Sequence, residues 1–176
     1  MKHLALVALL ASALAVPAAA QITICSTPNG SANASCTGNV ASSLTIPILL
    51  RLTIDDTSTT ITPPTETDYN NLQSGAITGP VATVKTNNSW TLLVRATAAT
   101  WTGTGGASAT KAVGDLLWST ASGGTYTAMS TTNATAATGT RGVANVASIF
   151  YKVKWTWATD KPGTYTLTVI FTATAP

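Results

Sequence analysis

Residues 150–171 read FYKVKWTWATDKPGTYTLTVIF, with aromatic and aliphatic residues at alternate positions on both sides of an Asp-Lys-Pro-Gly break. Before the break, Ile149, Tyr151, Val153, Trp155 and Trp157 share one phase, and Lys152, Lys154 and Thr156 share the other. After it, Tyr165, Leu167, Val169 and Phe171 alternate with a threonine series. A period of two is the signature of a half-buried strand. An aromatic stripe exposed for binding would require a second apolar face for burial, and these strands offer none. The stripe therefore predicts the interior of two packed sheets, with Val146 to Trp157 and Gly163 to Ala173 as the two most regular strands.

The same pattern extends upstream. In Ile46 to Ile54, residues Ile46, Ile48, Leu50, Leu52 and Ile54 share an apolar face. Residues 55–80 mix acidic, Thr, Pro and Gly residues and read as connections around at most one short strand. Val81 to Lys85 and Ser89 to Thr97 carry hairpin signals around Asn87-Asn88, with Trp90, Leu92, Val94 and Ala96 on one face. TGTGGASATKAVG interrupts the pattern, DLLWS and TYTAM restore short strands, and STTNATAATGTRG reads as a long loop. Helix-length amphipathic periods are missing, and β-branched threonine is abundant. Seven to eight short strands at this spacing predict an all-β, immunoglobulin-like antiparallel sandwich.

The first 20 residues combine a basic start (Lys2, His3), an apolar run from Leu4 to Val16 and Ala18-Ala19-Ala20. This is the pattern of a secretory signal peptide cleaved before Gln21, and the run is too short for a membrane span. Removing 20 of 176 residues leaves 156, enough for one domain. The expected organisation is 1–20 signal, 21–45 an N-terminal strand and disulfide loop, and 46–176 the sandwich. Cys25 and Cys36, the two cysteines, read as a disulfide in an exported chain.

Cleavage also removes His3, the one histidine. Ser-His-Asp hydrolysis then lacks its base, and no G-x-S-x-G elbow is present. Asp55, Asp56, Glu66, Asp68, Asp115 and Asp160 are the six carboxylates available to a glycosidase or a calcium site. The cluster at 55–68 lacks the spacing of a calcium loop and reads as a solvated connection. Neither a cofactor nor a catalytic set is expected. The nine Lys and Arg residues are scattered, which argues against nucleic acid as a partner.

Of the five tryptophans, Trp90, Trp155 and Trp157 lie on core phases. Trp101, beside a Gly-rich turn, and Trp118, near a strand end, read as rim residues that are either half-buried or free to stack on a sugar ring. Asn33, Asn87 and Asn133 begin glycosylation sequons, which a threonine-rich chain meets by chance.

Two segments resemble the WxL domain of bacterial surface proteins. SWTLLVRATAATWTG contains Trp90-Thr91-Leu92, and the C-terminal GTYTLTVIFTATAP is similar to that family's closing strand, with Phe171-Thr172-Ala173 where a second Trp-x-Leu would stand. The resemblance implies an exported β-rich domain held non-covalently at the cell envelope, with Trp90 and Leu92 in the family motif and peptidoglycan as the typical target.

These readings lead to an exported, non-enzymatic structural or adhesive protein of the cell surface, retained by wall contact or by self-assembly. The expected assembly device is QITIC, whose Ile22 and Ile24 share a phase suited to extending a neighbour's sheet edge. The alternative is a carbohydrate- or peptidoglycan-binding module using Trp101 and Trp118.

Overall fold

Trp90, Leu92, Val94 and Ala96 are buried while the residues between them are only partly so, as their alternation requires. The computed structural model describes residues 40–108 and 110–176. Residues 40–45 are exposed and carry no regular structure. Ile46–Pro176 forms a compact unit of its own.

That unit is mostly β. Its strands are β1 (Leu50–Ile54), β2 (Ile77–Thr86), β3 (Trp90–Ala96), β4 (Thr102–Thr104), β5 (Leu116–Ser119), β6 (Thr127–Ala128), β7 (Ala134–Gly139), β8 (Gly142–Val153), β9 (Thr164–Thr166) and β10 (Val169–Thr174). They form a five-stranded sheet in the order β1-β2-β8-β5-β6, a three-stranded sheet β10-β3-β7 and a ribbon β4-β9, with antiparallel pairing throughout. The two larger sheets share their cores. Val94 and Ala96 of β3 cluster with Ile149, Tyr151 and Val153 of β8, and Leu92 clusters with Ala82, Val84 and Ala147.

Several expectations are corrected. β1 starts only at Leu50, because Ile46, Ile48 and Leu49 have no opposing layer and stand 51 to 70% exposed. Leu52 and Ile54 alone keep the predicted inward packing. The stretch expected as a β2–β3 hairpin crosses between sheets, so that β2 pairs with β1 and β8, and β3 with β10 and β7. Asn87 makes this crossing firm: its side-chain carbonyl accepts from Leu49 N–H at 2.9 Å and its amide donates to Pro47 O at 2.8 Å.

The loop expected at 130–142 contains β7, whose alanines fit close against the second core cluster. Residues 163–173 break at Leu167-Thr168 into β9 and β10, which join different sheets. The connection before β2 contains a short helix, α1 (Glu66–Asn70), started by a capping box in which Thr65 Oγ accepts from Asp68 N–H and Asp68 accepts from Thr65 N–H. Those Thr65 hydrogen bonds hold the Asp68 carboxyl below its ordinary value.

Candidate functional site

No cluster of His, Cys, Asp and Glu suited to a metal occurs among the described residues. No helix among them is long and apolar enough to cross a membrane. Three features remain: a seam between two free sheet edges, an aromatic pair with one exposed indole and a buried ion cluster.

The seam lies where β1 and β10, the edge strands of the two main sheets, meet. A groove of about 710 Å³ opens there between the strap 56–61 and the β9–β10 segment, over Tyr151, Trp101, Leu116 and Phe171. Burial pushes the Tyr151 hydroxyl well above the ordinary phenol range, so it stays protonated.

The two edges differ chemically. Asp55 N–H donates to Val81 O and Asn87 N–H to Leu49 O, which by antiparallel alternation turns the main chain of Leu50, Leu52 and Ile54 outward on β1. That edge is charged, for Arg51 sits directly opposite Lys85. A charge carried on the edge strand discourages another strand from docking there. On β10, Thr97 N–H donates to Thr168 O at 3.0 Å, so the main chain of Val169, Phe171 and Ala173 points away from β3. This edge runs VIFTAT, with no charge, no proline and no break in its register against β3.

The aromatic pair joins Trp157 to the short helix before β2. Trp157, assigned by phase to the core, is 65% exposed and stacks on Tyr69 of α1 with centroids 4.4 Å apart at 24°. Its Nε1–H donates to Asn70 Oδ1 at 3.4 Å. The phase fails because β8 ends at Val153 and residues 156–160 fold into a turn, with Asp160 N–H donating to Thr156 O. Alternation predicts a side chain's direction only while the strand continues.

Trp101 and Trp118 go the other way. Both are buried, at 6% and 7%, and Trp101 Nε1–H donates to Ala112 O at 3.1 Å. The expectation of exposed rim indoles is therefore overturned, because the loop after Trp101 folds back as the β4–β9 ribbon and Trp118 lies on the inner face beside Tyr151. Trp90 and Leu92 are buried in the second cluster, where Trp90 Nε1–H donates to Thr140 O, and Phe171 packs half-buried against both clusters. Ile22, Ile24, Cys25 and Cys36 lie outside the described residues.

The ion cluster centres on Lys111, whose side chain is 1% exposed. Its Nζ donates to Asp160 Oδ1 at 2.9 Å and to Lys154 O at 2.8 Å, and lies 3.7 Å from Asp115 Oδ2. The Trp155 ring stands 4.6 Å and the Tyr165 ring 5.9 Å from the same atom. Nothing in the spacing of Lys111, Asp115 and Asp160 announces this meeting, which depends on the turn at 156–160.

No family model, curated protein or solved structure matches the chain.

Proposed function

We propose that this is an exported, non-enzymatic structural protein of the bacterial cell surface, an immunoglobulin-like sandwich that assembles by strand addition. The reading rests on the free edge of β10, which lacks the charges, prolines and bulges that usually keep an edge strand from pairing with another chain. The proposed donor is the segment of a second copy that carries Ile22 and Ile24, which is short and uncharged like β10. The WxL resemblance and the signal-like N-terminus support envelope placement.

Ala173→Pro tests the edge. Its N–H faces outward, so proline removes a free-edge donor and sets its ring in the path of an added strand while sparing the bonds to β3. The assembly constant measured by sizing and analytical ultracentrifugation should weaken by at least about tenfold, with the melting point nearly unchanged. Thr172→Pro, whose N–H faces β3, should instead destabilise the fold. If Ala173→Pro assembles like the wild type, β10 is not the acceptor; a wild type that stays monomeric at all concentrations removes strand addition altogether.

A second reading, carbohydrate or peptidoglycan binding, is supported by the Tyr69–Trp157 stack, which offers an exposed indole beside the Asn70 amide. Trp157→Ala should reduce retention on purified wall polymer by about tenfold, on the order of 1.4 kcal/mol, without a large change in stability. Unchanged retention would remove this surface from consideration.

A further inference from the structure

In a chain where 9% of residues are charged, three charges converge on one largely dry site. The Asp160 side chain is 4% exposed and that of Asp115 33%. An amine and a carboxyl group held in contact away from water are the two halves of an amide. We propose that Lys111 and Asp160 condense spontaneously into an intramolecular isopeptide bond, with Asp115 carrying the protons.

The surroundings supply each requirement of that reaction. Asp160 Oδ2 accepts from Thr156 N–H at 2.8 Å, so the oxygen that becomes negative when Nζ adds to Cγ already faces a fixed donor. Asp115, whose Oδ2 lies 3.7 Å from Nζ, takes protons from the amine and delivers them to Oδ1. The Nζ–Cγ bond forms, the Cγ–Oδ1 bond breaks, and two of the three ammonium protons leave with Oδ1 as one water molecule. The charges of Lys111 and Asp160 cancel, Asp115 is regenerated, and no oxidant or activated co-reactant is consumed.

The product fits the same cage. Its carbonyl oxygen, the former Oδ2, keeps the Thr156 N–H bond, and its amide N–H keeps Lys154 O as acceptor. Trp155 and Tyr165 shield it from hydrolysis. Fixed contact between the groups replaces the activation that amide formation in water requires. The bond joins positions 49 residues apart and encloses β5, β6, β7 and β8, a covalent clasp suited to a protein under tension.

Mass spectrometry of the intact mature protein after disulfide reduction tests this directly. The wild type should be lighter than its sequence by one water, about 18 Da, which is the balance of the condensation. Tryptic mapping should find the peptides containing Lys111 and Asp160 joined. Lys111→Ala and Asp160→Ala should have full sequence mass. Asp115→Asn, at a more exposed position that leaves the reacting pair in place, should slow bond formation on the order of a hundredfold or more, read as a slow mass loss in folded protein. A wild type of full sequence mass overturns the proposal, as does a water loss mapped to other residues. An Asp115→Asn protein that cross-links at the wild-type rate overturns the role given to Asp115.

Discussion

Replacing Trp118 with alanine should cost about 3–5 kcal/mol of stability, the usual penalty for emptying a buried aromatic site. Trp118 is 7% exposed and packs in the cluster that holds Ile149, Tyr151, Val153 and Trp155. Its strand has four residues, so few neighbours can close over the void. Trp101→Ala should behave similarly and also leave Ala112 O without its indole donor. Urea titrations check this: the midpoint should fall with the slope preserved, as in a folded state that loses stability without changing its extent. A loss under about 1 kcal/mol would return these residues to the rim, where surface substitutions normally fall.

Gly163→Ala should be nearly as damaging, at about 2–5 kcal/mol from backbone strain combined with overpacking. Gly163 has φ +151°, and an added Cβ would sit 2.5 Å from Thr104 O and overlap the Ala107 backbone. Neither neighbour is the flexible end of a side chain, so the β4–β9 ribbon itself would have to shift. Because Tyr165 of β9 faces Lys111, the same substitution should loosen the ion cluster. A thermal midpoint within a degree or two of wild type would show that the ribbon yields easily.

The core was legible where strands are long. In β3 and β8 the inward residues Trp90, Leu92, Val94, Ile149, Tyr151 and Val153 follow the period of two, because an extended strand sends successive side chains to opposite faces. Elements whose identity depends on a distant partner were harder to read. β7 resembles a loop in composition, with alanine and threonine and little bulk, yet it is a strand because β3 lies beside it and its small residues suit the second core. The capping box before α1 was present as Thr65-Glu66-Thr67-Asp68, although the surrounding prolines and threonines favoured a loop.

The candidate sites divide in the same way. A carboxylate and a lysine 49 residues apart carry no sequence signal of contact. An exposed indole in phase with a buried stripe gives no sign that its strand has ended.

By itself, the sequence determined the β class and the inner faces of the long strands, since these depend on residue type and local alternation alone. Only the tertiary structure decided which edge was left bare, which tryptophans were buried and which charges met. Those depend on where the chain crosses from one sheet to the other, and a crossing is set by long-range pairing that no local period encodes.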